Sequence, residues 1–429
     1  ADGPIYVPFT LPGERVVIAL DKGGERGSLL DVLVPSPDRV APTCPYFGAC
    51  GGCALQHMER SAYLAWKREQ VAAALKARGL APEIEEVRPV PLGSRRRATL
   101  ALGRGKDGAV LGYRRARSHD LIDVAACPVL IPRISNSLSS LKQALSSLLG
   151  GKREARVTVT QTESGLDILL EGVRPALAAL GAFAGKAAAL GVTRLSAGGE
   201  SIALGGTPEV DLSGVHVRLP PGAFLQASRE AEAELVKLVL EGTEGAKRVA
   251  DMFAGLGTFT FALARTSAVD AYEADEAALA ALAEAARRTP KLKPIRTLDR
   301  DLFRSPLGAK ELQTYDAVVF DPPRAGAAAQ AEALAKSRVP KLVAVSCNPG
   351  TLARDLRILV DGGYRIARVS GRSVPLLAPY RGRGESYALA AQQPLNKGKD
   401  DFGRGAVDRL GEMARAIRGL EIELDRVCT

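Results

Sequence analysis

The sequence predicts an α/β protein whose C-terminal part is a doubly wound, mainly parallel sheet. Three observations carry this. From about Ala227, short apolar runs alternate with Ala-rich helical stretches, the order that βα units impose. The first of these runs ends in a glycine-rich turn, Asp251-Met252-Phe253-Ala254-Gly255-Leu256-Gly257-Thr258-Phe259. A later run, Ala317-Val318-Val319-Phe320, ends in Asp321-Pro322-Pro323-Arg324. At 429 residues the chain exceeds one ordinary core, so further domains are expected.

Four segments follow in order. Residues 1–43 hold short β-rich runs at Ile5–Pro8, Arg15–Leu20 and Ser28–Val34, separated by Gly and Pro turns, and predict a partial, small β-barrel of oligonucleotide-binding type. Residues 44–225 form a central α+β region. It opens on a cysteine cluster and continues into a helix near Ser61–Arg78. Basic strands follow, then a helical pattern over Ile134–Leu149 and a hairpin around Glu163-Ser164-Gly165. Residues 226–391 carry the doubly wound pattern, with a helix over Ser228–Glu241 and strands at Arg248–Phe253, Val269–Tyr272, Ala317–Phe320, Leu342–Ser346 and Arg365–Ser370. Residues 392–429 are a tail, polar and then helical from Gly405 to about Arg418.

Lys and Arg outnumber Asp and Glu by 58 to 48, a formal charge of +10 that favours a polyanionic partner. The surplus is concentrated: Arg88 to Arg117 holds nine basic residues against the one acid Asp107. On strands such as Arg97–Leu102 and Val110–Arg115, that charge suits phosphate contacts. No run of 18 apolar residues occurs and no secretory pattern opens the chain, so a cytoplasmic protein without a membrane partner is expected. The six cysteines then point to metal or catalysis rather than disulfides. Cys44, Cys50 and Cys53 lie close together and Cys127, followed by Pro128, lies far downstream. Four thiolates suit zinc or a cubane cluster, and the three-plus-one spacing favours a 4Fe–4S cluster.

The chemistry-bearing residues fall at strand ends. The turn at Gly255 and Gly257 lies where α/β sheets bind nucleotide-like ligands, and Glu273, one strand later, offers a carboxylate to two ribose hydroxyls. This pattern suits S-adenosylmethionine as well as NAD. The Asp321-Pro322-Pro323 loop is stiff, with outward carbonyls. Leu342–Ser346 delivers Cys347 to the same sheet edge just before a helix, a setting expected to lower the thiol pKa. Glu385 opens the last strand and offers a carboxylate base.

Over roughly residues 5–391 these motifs, in this order, resemble the RNA uracil-5-methyltransferase family, and within it the iron–sulfur branch acting on 23S ribosomal RNA. The resemblance implies a TRAM-like barrel in residues 1–43 that lacks its first strands, and a Rossmann-like methyltransferase domain over 226–391. It implies a 4Fe–4S cluster on Cys44, Cys50, Cys53 and Cys127, and S-adenosyl-L-methionine on Gln226, Phe253, Thr258, Glu273, Asp301 and Asp321. Cys347 would be the nucleophile and Glu385 the base. Phe224, Asp321 and Arg96 would meet the RNA, and the enzyme would act as a monomer. Relatives that methylate uridine-54 of tRNA are the alternative, with a non-RNA substrate as a further one. The chain departs from the family at Ala254 and Thr258 and between Pro379 and Glu385, where the family often has two histidines and this chain has Tyr380-Arg381-Gly382-Arg383-Gly384.

Overall fold

In the computed structural model the N-terminal runs form an open hairpin, β1 (Arg15–Leu20) against β2 (Gly27–Val34), with one further bridge from Tyr6 to Arg26. The structure describes residues 3–116, 118–198, 200–373 and 386–392. It divides into two compact units. Of the described residues, one takes the chain up to Gly48 together with Cys53–Tyr63; the other takes Ala49–Gly52 and the chain from Leu64 to Gln392.

The larger unit begins with most of α1 (Arg60–Lys76) and the two-residue β3 (Arg88–Pro89). A seven-stranded sheet follows, from β4 (Arg97–Gly105), β5 (Gly108–Arg114), β6 (Leu121–Asp123), β7 (Glu154–Gln161), β8 (Leu166–Glu171), β9 (Val192–Ala197) and β10 (Glu200–Leu204), in the order β10-β9-β8-β7-β4-β5-β6. Only the β8–β9 pairing is parallel. Two helices accompany it, α2 (Pro132–Leu145), which runs into a 3-10 turn at Ser146–Leu149, and α3 (Leu177–Ala187). The alternation of buried and exposed residues in Ala98, Leu100 and Leu102 turns one face of β4 into the core.

A small hairpin, β11 (Glu209–Leu212) and β12 (Val215–Arg218), leads to α4 (Arg229–Gly242). Ser228 caps α4 by accepting from Ala231 N at 3.1 Å, and Glu230 and Glu232 complement its positive end. The βα alternation then runs β13 (Arg248–Met252), α5 (Thr260–Leu263), β14 (Ala268–Glu273), α6 (Glu276–Arg288), β15 (Ile295–Asp299), α7 (Ala309–Leu312), β16 (Ala317–Phe320), α8 (Ala328–Ala335), β17 (Lys341–Ser346), α9 (Pro349–Asp361), β18 (Arg365–Ser373) and β19 (Ser386–Gln392).

The sheet order is β15-β14-β13-β16-β17-β19-β18-β3. Strands β13 to β17 are mutually parallel, and β19 runs antiparallel between β17 and β18. Both faces are covered, which is why these strands read as continuous apolar runs. Ala250, Met252, Val318 and Phe320 pack into one cluster with Leu352 and Leu356 of α9. Val249, Ala317, Val319 and Val343 pack on the other face with Leu235 and Val239 of α4. The order of strands reverses between β13 and β16, and the strand ends there converge on one edge. No helix among the described residues is long and apolar enough to cross a membrane.

Candidate active site

The turn after β13 is held by backbone conformations that the sequence chooses. Phe253 takes a φ of +62°, rare for a side chain of its size, and Gly257 a φ of +96°. A Cβ at Gly257 would stand 2.7 Å from the Phe261 ring, so only glycine lets α5 approach. Glu273, at the end of β14, closes the turn. Its Oε2 accepts from Gly255 N at 2.8 Å, and its Oε1 from Ala274 N and Asp275 N at 2.7 and 2.9 Å. The Phe253 ring leans on Phe303 with centroids 5.4 Å apart. Asp301 sits just before that partner and accepts from Phe303 N at 2.9 Å and Arg304 N at 3.2 Å. Thr258 is half-buried in the same turn.

Asp251 reads in the sequence only as the end of a strand, yet it is the most constrained acid here. It is 1% exposed, accepts from the Thr260 hydroxyl at 2.5 Å, and its Oδ1 is buried with no hydrogen-bond partner among the described residues. Burial, with Asp321 and Glu273 adding to it, pushes its carboxyl up to about 7. The signal in the sequence is a lone acid inside the apolar run Val249-Ala250-Asp251-Met252.

Asp321 lies where β16 stops. Gln226, 95 residues away in sequence, donates from its Nε2 to Asp321 Oδ2 at 3.3 Å. Burial pushes Asp321 to about 7 as well, against the lowering effect of Gln226. Two positions named separately from the sequence are thus in contact. Phe224, two residues before Gln226, is 63% exposed, an aromatic face open to solvent beside the site.

Cys347 follows β17 and precedes the cap of α9, where Asn348 Oδ1 accepts from Gly350 N at 2.9 Å and Pro349 occupies the first turn. The expectation of a lowered thiol pKa is corrected. Burial and the neighbouring Asp321 carboxyl push the thiol up, and the positive charge of Arg324 opposes them. Glu385 lies outside the described residues.

Arg96 is also corrected. The sequence placed it against RNA, but it is 2% exposed. Its Nη2 pairs with Glu232 Oε2 at 2.6 Å and its Nε donates to Gln226 O at 3.1 Å. Burial raises the Glu232 carboxyl, and Arg96 counters that. The residue therefore fixes Gln226 from beneath instead of meeting a phosphate. Arg95 is buried too, whereas Arg104, Lys106 and Arg115 on or beside the β4–β5 hairpin are exposed.

None of the four cysteines read as cluster ligands is in a disulfide. Cys127 is buried and donates its N–H to Ser135 Oγ at 2.9 Å; Cys44 donates its N–H to Gln56 Oε1 at 3.1 Å. Among the described residues no group of three or more Cys, His, Asp or Glu is gathered closely enough to hold a metal ion. The donors are right in kind and number for a cluster, and they are divided between the two compact units, Cys44 and Cys53 in one, Cys50 and Cys127 in the other.

At the carboxyl edge, three acids, an amide, an aromatic pair and a thiol converge, a set suited to a cationic, nucleoside-bearing ligand beside a nucleophile. A family model described as tRNA (uracil-5-)-methyltransferase matches residues 207–370. An RNA methyltransferase of Brucella suis is 48% identical over 376 residues, 86% of this chain and 89% of its own length. The 23S rRNA (uracil(1939)-C(5))-methyltransferase of Chromohalobacter salexigens is 34% identical over 386 residues, 85% of this chain and 80% of its own. The Pyrococcus abyssi tRNA (uracil-54, C5)-methyltransferase, solved with S-adenosyl-L-homocysteine, superposes with a TM-score of 0.68 at 22% identity, over 90% of this chain and 94% of that one, a likeness of fold.

Proposed function

The chain belongs to the RNA uracil-5-methyltransferase family, and on that premise we propose that it methylates carbon 5 of a uridine in 23S ribosomal RNA, using S-adenosyl-L-methionine and a covalent adduct on Cys347. The observation that carries this is the meeting of Gln226, Asp321 and Cys347 at one sheet edge, from three distant segments. Asp251, Asp321 and Glu273 give that edge the negative charge a sulfonium and an ammonium would neutralise, and Asp251 Oδ1 is a buried acceptor with no hydrogen-bond partner among the described residues. Gln226, Phe253, Thr258, Glu273, Asp301 and Asp321 would hold the cofactor, which supplies an electrophilic methyl group.

The chain's own residues do the rest. Carbon 5 of uracil is a weak nucleophile. Addition of the Cys347 thiolate to carbon 6 pushes electron density onto carbon 5, which then takes the methyl group. Glu385 removes the carbon 5 proton, and elimination returns the sulfur as thiolate. The exposed Phe224 would stack on a uridine turned out of its RNA, and the exposed basic residues of the β4–β5 hairpin would hold flanking phosphates. Cys347→Ala should abolish turnover and form no covalent RNA complex. Glu385→Gln should trap a methylated protein–RNA adduct that survives denaturing electrophoresis. Full activity in Cys347→Ala would refute nucleophilic catalysis. Mapping the 5-methyluridine missing from ribosomal RNA and tRNA when the gene is deleted tests the substrate; a deficit in tRNA alone would move it to the T-loop.

The cysteine set is included in the proposal as the seat of a 4Fe–4S cluster, on its sequence spacing and thiol chemistry alone, and no step of the methyl transfer passes through it. Protein purified without oxygen should be brown, with about four iron and four sulfide per chain. Colourless protein with stoichiometric zinc would replace the cluster by a structural zinc.

A further inference from the structure

Between the β11–β12 hairpin and α4 the chain runs as a strap, Leu219 to Ala227, which the seven-stranded sheet and its leading residues hold at both ends. At the near end Ala223 N donates to Pro220 O at 3.2 Å, with Pro221 and Gly222 in the two central positions and a Gly222 φ of +75°, a type II turn. This turn sits on the sheet. Arg97 Nη2 donates to Gly222 O at 3.3 Å, and a Cβ on Gly222 would stand 2.8 Å from Leu169 Cδ2 of β8. At the far end Arg96, the residue before Arg97, donates its backbone N–H to Ala227 O at 2.9 Å, besides the bond its guanidinium makes to Gln226 O. Between these anchors Leu225 is buried with Leu219 in one cluster with Val210 and Val217 of the hairpin, and Ala223 packs against it. Phe224 is the one large apolar side chain of the strap left exposed.

We propose that Gly222 is a positioning residue for the RNA substrate: its turn, seated on Leu169 and tied by Arg97, holds Phe224 ready for the displaced base, while Arg96 separately holds Gln226 for the cofactor. Phe224 is the first residue beyond the turn, so Gly222 acts through it. Glycine takes the required φ without strain, which lets the chain turn back this tightly against β8. A turn fixed at its carbonyl and packed from beneath leaves Phe224 little backbone freedom to lose when a base stacks on it, and such preorganisation favours binding. The cofactor end does not depend on the turn, because Leu225 in the core and Arg96 on the Gln226 and Ala227 carbonyls fix it. The inference rests on reading Phe224 as the aromatic that stacks on the uridine.

The test is a double-mutant cycle between the turn and the aromatic. Methylation kinetics are measured on transcripts of 23S ribosomal RNA and of tRNA, using whichever accepts methyl groups, and S-adenosylmethionine affinity is measured by calorimetry. Gly222→Ala should lower kcat/KM for RNA about tenfold, and Phe224→Ala by at least as much. Cofactor affinity should stay within about twofold of wild type in both, since the Gln226 anchor is untouched. The double variant should lose no more than Phe224→Ala alone, because a residue acting through Phe224 has nothing left to act on. A folded Gly222→Ala protein with wild-type RNA kinetics would overturn the proposal, as would additive losses in the double variant or an equal loss of cofactor affinity. Should Gly222→Ala fail to fold, Leu169→Ala removes the seat from beneath the turn and bears the same comparison with Phe224→Ala. Wild-type kinetics in Phe224→Ala would remove the stacking reading and the proposal with it, whereas a loss in Phe224→Ala that neither Gly222→Ala nor Leu169→Ala shares would remove the proposal alone.

Discussion

Asp251 and Asp321 stand at about 7, far above the 3.8 of an ordinary aspartate, because burial penalises their charged forms. The sign of the consequence follows from linkage. A carboxyl raised in the folded state stabilises the fold fully below about pH 4, and that contribution fades as pH rises through about 7. A cation bound between the two acids reverses the preference by favouring their ionised forms. S-adenosylmethionine affinity should therefore rise from pH 5 to pH 8, with protons released on binding at the acid end. Calorimetry in buffers of differing ionisation enthalpy reads both. Asp251→Asn should weaken binding at pH 8 and flatten the pH dependence; an unaltered slope would remove Asp251 from the cofactor site. The signs at Gly255, Gly257, Glu273, Asp321 and Cys347 were legible in the sequence because each follows an apolar strand, and strand ends are where such sheets do chemistry. Asp251, one residue before the end of β13, belongs to no such motif, and its sign in the sequence is only that an acid interrupts the apolar run Val249–Met252.

At the scale of elements, periodicity located the strands and helices well where both faces are packed. The run Arg248–Phe253 became β13, and Leu342–Ser346 fell within β17. What periodicity could not show was which basic residues on a strand face outward. Arg95, Arg96 and Arg97 look alike in sequence, but the first two are buried, and Arg96 joins the start of β4 to α4 through Glu232. Removing one partner leaves a buried charge. Arg96→Met should lower the unfolding free energy by about 3–5 kcal/mol in urea titrations, and it should leave the salt dependence of RNA binding unchanged. A variant as stable as the wild type would show that Arg96 is not the tie between these elements. The Asp321–Gln226 pairing was equally hidden, since no local pattern links residues so far apart along the chain.

Across the whole molecule, basic charge and catalytic edge belong to different sheets. RNA affinity should fall steeply with salt, and neutralising Arg104, Lys106 and Arg115 together should flatten the slope of log affinity against log salt, by about one unit for each phosphate that is no longer neutralised. Filter binding between low and physiological salt measures it; an unchanged slope would place the RNA on another face. The catalytic sheet, for its part, is not built from one stretch of chain. Its outermost strand is β3, paired with β18, and Val71 and Leu75 of α1 lie in its core cluster, while Glu85 accepts from Arg368. The chain enters this sheet, leaves it to make nine other strands, seven of them in one sheet and two in the β11–β12 hairpin, and returns at α4. The seven-stranded sheet is thus a guest lodged within its host. Lineages could exchange the guest for another at the two nearby crossing points, Arg96 and Ala227, which the backbone already bonds together. The host, cut at residue 226, would lose its edge and part of its centre, so it cannot be inherited as a separate cassette.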